Sequence, residues 1–154
     1  MSLESKGEAL GVAEASVMLV VFAAGNALLA YDARSVGEVI RVPVITKAHG
    51  SSPYVMGVVN LRGRIITVID LEAKLGLPRT EGIDPRLLVI EEGGGEAVAV
   101  YVPALKDVIE AELSEIQPLR ADVRGGDPEL FLGVVRRDDI LVAVLDPARS
   151  LATT

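Results

Sequence analysis

The sequence predicts an all-β fold of short strands closed into barrels, and three observations carry that prediction. Short aliphatic runs rich in Val, Ile and Leu alternate along 154 residues with turns containing Gly, Asn and Asp, the pattern of a barrel or sandwich. Half the residues are hydrophobic but only 3% are aromatic, so the core is aliphatic, and β-branched side chains suit a pleated, buried surface. The chain also repeats itself. AGNALLAY (Ala24–Tyr31) resembles GGEAVAVY (Gly94–Tyr101) at a shift of 70, and GVVNLRGRIITVID (Gly57–Asp70) resembles GVVRRDDILVAVLD (Gly133–Asp146) at a shift of 76. Each half is expected to run hairpin, irregular connection, hairpin, short helix. Closed barrels also remove the exposed edges that so aliphatic a chain would otherwise carry.

Taken in order, residues 1–16 are small, polar and acidic on balance, unlike the basic start of a signal peptide. They read as an N-terminal segment outside the domain, for which disorder is one expectation. Val17–Ala24 and Ala27–Tyr31 flank Gly25-Asn26 and read as a hairpin. Neither run approaches the roughly 20 residues that a membrane-spanning helix needs. Asp32–Ile40 is expected to form a short helix capped by Asp32, weakened by Gly37. Arg41–Pro53 holds two prolines, two serines and a glycine, which predicts an extended, exposed segment.

The stretch Tyr54–Leu77 organises the rest. Two β-branched runs are interrupted by Asn60-Leu61-Arg62-Gly63, with Gly63 able to supply positive φ. Asp70 is placed to cap a helix Leu71–Leu75, which Gly76 and Pro78 end. Leu77–Pro85 reads as a polar linker. Arg86–Glu91 and Glu96–Val102 form the next hairpin around Gly93-Gly94-Gly95. Val108–Leu119 is mixed, and Ala121–Pro128 is a loop. Gly133–Asp146 makes the closing hairpin, and Pro147 suits the first position of a final helix. Residues 17–152 thus form a single domain of two interlocked halves, approximately 17–80 and 86–152.

Composition excludes several functions. A net charge of −7 argues against nucleic acid and anionic membrane, since phosphate binding needs clustered Lys and Arg. The lack of cysteine removes disulfides and thiolate metal sites. His49 is the only histidine, so no His cluster or His-based triad exists within the chain, and His49 reads as a solvated loop residue. Gly93-Gly94-Gly95 lacks a following Lys-Ser/Thr and reads as a turn. Asp138-Asp139 and Glu91-Glu92 read as solvated faces, and Ser35, Ser114 and Ser150 lie in no nucleophile-elbow context. The sequence gives no positive reason to expect an enzyme, a catalytic residue, a cofactor, a metal or direct membrane insertion.

Recognition by surface remains. Glu38, Arg62, Arg64 and Lys106, each taken alone, read as solvated charges. Leu61-Arg62 differs, because a large apolar residue beside an Arg is an interface mixture. The alternative is that Leu61 folds back onto its own barrel while Arg62 extends into water. Composition leaves both open.

These residues carry a resemblance. Gly57-Val58-Val59-Asn60-Leu61-Arg62-Gly63, then Ile65–Asp70 and Leu71, resemble the signature of the CheW-like family, the chemotaxis coupling proteins. The similarity runs from about Val17 to Leu151 and takes in the opening hairpin, the LKDVIEAELSEIQP segment and the closing hairpin. It implies two pseudo-repeated, five-stranded SH3-like barrels with a few short helices, packed on a shared hydrophobic seam. It also implies a non-enzymatic, cytoplasmic adaptor recruited to membrane receptor arrays through protein contacts. Its partners would be the regulatory domain of the histidine kinase CheA and the cytoplasmic tip of a chemoreceptor (a methyl-accepting chemotaxis protein). Carried over by position, Asn60, Leu61 and Arg62 would be receptor-facing and kinase-controlling, and Val36, Glu38 and Val108 would add partner contacts. An aliphatic groove between the barrels would suit a helical receptor tip, with Arg62 at its rim.

The chain departs from the family pattern at Ala27–Leu29, Ala48-His49 and Thr67. The altered Ile45–Pro53 segment motivates a second reading, a domain that binds kinase or receptor without coupling them, or one that serves a related surface-motility pathway. A third reading, a barrel that binds or turns over a small molecule, requires a polar-lined pocket.

Overall fold

In a computed structural model the described residues are 15–47, 50, 52–91, 96–119 and 127–152. Ten strands form two five-stranded sheets. Strands β1 (Ser16–Ala24) and β2 (Ala27–Asp32) make the first hairpin, and β3 is Val36–Arg41. β4 (Val55–Leu61) and β5 (Arg64–Asp70) precede helix α1 (Leu71–Leu75). β6 (Arg86–Ile90), β7 (Val98–Val102) and β8 (Ala104–Glu112) follow. β9 (Phe131–Arg137) and β10 (Ile140–Leu145) lead into helix α2 (Pro147–Ser150). One sheet runs β8-β1-β2-β10-β9 and the other β3-β6-β7-β5-β4.

The sheets cut across the sequence halves 17–80 and 86–152. The first half gives β1 and β2 to one sheet and β3, β4 and β5 to the other, and the second half does the reverse. The exchange is sealed by two parallel contacts, β2 with β10 and β5 with β7. A duplicated chain with exchanged hairpins buries strand edges that each half alone would expose.

Alternation along the strands explains why the runs are apolar without interruption. In β1, Val17, Leu19 and Val21 join a core cluster with Ala30, Val135, Val142 and Val144 inside one barrel. Val20, Phe22 and Ala24 point the other way, into a seam that also holds Tyr31, Ile69, Leu71, Leu88, Val100 and Leu145. Successive side chains on a strand face opposite sides, so a strand covered on both faces must be apolar throughout. A third cluster, including Val59, Ile66, Val68, Leu87 and Ala99, fills the other barrel.

Local signals hold at the helix and turns. Asp70 accepts from Ala73 N–H at 3.2 Å, and Gly76 takes φ 69° at the C-terminal end. Asp146 caps α2, with Pro147 at its start. The duplicated Gly57 and Gly133 answer one requirement. The incoming segment bridges each hairpin, Thr46 to Val58 and Gln117 to Val134. A Cβ would lie 2.2 Å from the Thr46 carbonyl oxygen at Gly57 and 2.5 Å from that of Gln117 at Gly133.

Three stretches differ from expectation. The helix expected over Asp32–Ile40 is a single 3-10 turn, Ala33–Ser35, capped by Asp32, after which Val36–Arg41 pairs with β6. Sheet pairing of the β-branched Val36, Val39 and Ile40 outweighs the capping signal. Val108–Leu119 proves to be the end of a nine-residue strand and a 3-10 turn, Leu113–Glu115. In the segment expected to be extended and exposed, Val44 is exposed but Val42 and Ile45 pack on the third cluster. The expectations for residues 1–14, His49, Glu92, Gly93-Gly94-Gly95 and 120–126 lie outside the described residues.

Candidate functional site

The β4–β5 tip is built from its backbone. Strands reach Leu61 and resume at Arg64, so the loop is Arg62-Gly63 alone, with φ 52° and 84°. Positive φ at both loop positions is the twist-matched two-residue hairpin turn. Asn60 is part of β4, and its Oδ1 accepts the Gly63 N–H at 2.9 Å. Leu61 is not in the turn at all. It is half-buried against the barrel interior.

Arg62 therefore stands alone at the tip, and its guanidinium donates to the Glu38 carboxylate on β3. That bond ties β3, one outer strand of this sheet, to the turn that follows β4, the other. The Arg62 hydrogen bond also holds the Glu38 carboxyl below the ordinary glutamate range. A matching clasp closes the other sheet. Arg137 on β9 donates to Glu115 at 3.0 Å and to the Glu110 carbonyl on β8 at 2.5 Å, and the Arg137 hydrogen bond lowers Glu115 likewise.

The other candidates lie apart from this pair. Val36 is on the same strand as Glu38 but packs its half-buried side chain on the seam. Val108 is on β8, in the other sheet, half-exposed opposite Val20. Arg62 and Glu38 come together, Asn60 shapes the tip beneath them, and Val108 marks a different surface.

A second feature lies between the sheets. The seam itself is filled with apolar side chains. At one end of it opens an apolar groove of about 650 Å³. One wall is Asn26–Leu29 from the β1–β2 turn, and another is Leu75–Pro78 at the end of α1. Leu119, Phe131, Leu141 and Ala143 complete it. Arg62 is not among the lining residues, which corrects the expectation that it sits at the groove's rim. The tip belongs to β4 and β5, whereas the groove is walled by β2, β9, β10 and the end of α1. Sequence reading named Asn26–Leu29 and Gly76–Pro78 only as turn, helix-end and family-departure positions and assigned no lining residue to a site, because their exposure depends on which hairpins become neighbours. Among the described residues no three His, Cys, Asp or Glu side chains are placed to hold a metal ion. Nor is any helix there long and apolar enough to cross a membrane.

Comparison with known proteins places this geometry. Residues 18–154 match the model of the CheW-like domain. The Bacillus subtilis chemotaxis protein CheW is 28% identical over 128 residues, covering 83% of this chain and 82% of that protein. The Helicobacter pylori chemotaxis protein CheW is 25% identical over 133 residues, covering 86% and 79%. The crystal structure of the scaffolding protein CheW from Thermoanaerobacter tengcongensis superposes with a TM-score of 0.79 at 28% identity, covering 86% of this chain and 85% of that one.

Proposed function

This chain belongs to the CheW-like domain family, and from that premise we propose that it joins a chemoreceptor tip to the kinase CheA without chemistry of its own. A role as a chemotaxis scaffold agrees with its relatives and with its two SH3-like barrels. The finer assignment rests on one observation. The protein carries two separate surfaces of different character, a charged tip and an apolar groove.

The groove suits the apolar face of a helical receptor tip. The tip, with Arg62 and Glu38 presented on a tight turn and Asn60 beneath them, suits the kinase regulatory domain, where an Arg adds orientation and specificity. Such contacts would recruit the protein to receptor arrays from the cytoplasm. Titration calorimetry against each partner tests the division. The expected result is one-to-one binding to both, with Arg62→Ala weakening the kinase titration and sparing the receptor titration. Loss of receptor binding alone in that variant would move the receptor contact to the tip.

A further inference from the structure

One wall of the groove belongs to the β1–β2 hairpin and the other is the end of α1, and one buried carboxylate bonds a residue beside each of them. Glu72, in the first turn of α1, is 3% exposed. Its Oε2 accepts the Gly25 backbone N–H at 2.7 Å, in the β1–β2 turn. The Thr80 hydroxyl donates to the same oxygen at 2.5 Å, and the Thr80 N–H lies 3.2 Å from both carboxylate oxygens. The Arg79 guanidinium stands 3.8 Å from Oε1 while bonding Asp70 at 2.5 Å. Glu72 thus links the turn to the segment that carries Leu77 and Pro78. Gly25 consequently approaches so closely that a Cβ there would lie 2.7 Å from the Leu77 Cβ.

The duplication supplies a comparison within the molecule. At the shift that aligns Asp70 with Asp146, Glu72 falls on Ala148. The related surface, lined by Val98, Pro147, Ala148 and Leu151, encloses only about 240 Å³. A buried charge is poor material for stability, since apolar replacements are often as stable or more so. Its presence in the first copy, where the second has Ala148, calls for another role.

We infer that Glu72 is the positioning residue of the groove, fixing the β1–β2 turn and the 77–80 segment at the separation that admits a partner helix. An inference of this kind rests on reading the groove as the receptor site. A helix with its side chains is about 10–12 Å across, so a wall displaced by even a fraction of that loses contact along its length. Preorganised walls bind with less ordering cost.

The test uses the full chain with Glu72→Ala and Glu72→Gln. Amide exchange is measured at Gly25 and Thr80, and calorimetric affinity is measured for a soluble chemoreceptor-tip fragment and for the CheA regulatory domain. Glu72→Ala is expected to speed exchange at both amides and to weaken the receptor fragment by roughly tenfold. Kinase affinity stays unchanged, and Glu72→Gln, which keeps one acceptor oxygen, falls between. If Glu72→Ala does not fold, Glu72→Gln carries the same comparison. Equal losses of both affinities would make Glu72 merely structural and overturn the inference. So would unchanged exchange in Glu72→Ala, or unchanged receptor affinity in that variant where the wild-type protein binds the fragment. A wild type that fails to bind the fragment instead overturns the groove's assignment and this inference together.

Discussion

The phenol of Tyr31 and the hydroxyl of Ser150, 119 residues apart, share a hydrogen bond of 2.8 Å in an interior that solvent does not reach. It fastens the last helix to the first hairpin, across the seam where Phe22 stacks on Tyr31 at 5.9 Å. Tyr31→Phe leaves the Ser150 hydroxyl buried without its partner, which costs about 1–3 kcal/mol. Chemical denaturation is expected to show that loss, and Tyr31→Phe with Ser150→Ala is expected to recover part of it. Burial also pushes the Tyr31 hydroxyl well above the ordinary tyrosine range, although the Ser150 hydrogen bond works against it. The folded state therefore holds this proton more tightly than the unfolded chain. That share of stability is whole below about pH 10 and is lost as pH rises beyond it. A melting series into alkali should steepen for the wild type relative to Tyr31→Phe.

Gly57 and Gly133 are predicted to be intolerant of any side chain. The atom each Cβ would strike is a backbone carbonyl oxygen, so relief requires moving a bridged segment rather than a rotamer. Gly57→Ala and Gly133→Ala are each expected to cost about 2–3 kcal/mol or more. Gly57 is the worse of the two, because its φ of 149° is also unfavourable for L residues. Denaturation midpoints for the two variants check the order.

The Arg62–Glu38 clasp should appear in the titration of Glu38. Its carboxyl is held below the ordinary glutamate range, chiefly by the hydrogen bond from Arg62. A depressed carboxyl stabilises the fold above its unfolded value, and that contribution disappears as pH falls through the folded value. Carboxyl-resolved NMR titration is expected to place the Glu38 midpoint below the ordinary value in the wild type. In Arg62→Ala it should return toward that value. An unchanged midpoint in the variant would remove the clasp.

Arg62→Ala is also expected to separate binding from folding. The side chain is exposed, and exposed ion pairs contribute little, so Tm should change by no more than about 2 °C. Kinase affinity should fall at the same time. A large fall in Tm would mean that the barrel itself depends on the clasp.

Several local sequence signals were sufficient, although the Asp32 cap yielded to sheet pairing. Gly25-Asn26, the Asp70 cap and the Gly76 stop are each set by neighbours within a few residues, and each stands where expected. The tip was legible only in part. The interruption at Asn60–Gly63 was visible, but strand pairing extends through Leu61, whose partner is Arg64. Long-range pairing was not legible at all. Nothing near Leu28 states that it will lie beside Val142 in a parallel contact, and that contact is what splits the halves between sheets. Glu72 was missed because a lone acidic residue in a short helix reads as solvated. The duplication held the one available sign, an acid in the first copy where the second has Ala148.

The most direct measurement is CheA autophosphorylation with a soluble chemoreceptor-tip fragment, with and without this protein, and with Arg62→Ala in its place. If the chain couples the two, kinase activity responds to the receptor fragment only when the wild-type protein is present, and the variant restores little of that response. A kinase that ignores the receptor with the protein present, while each binds it separately, would contradict coupling and leave a domain that binds its partners without joining them.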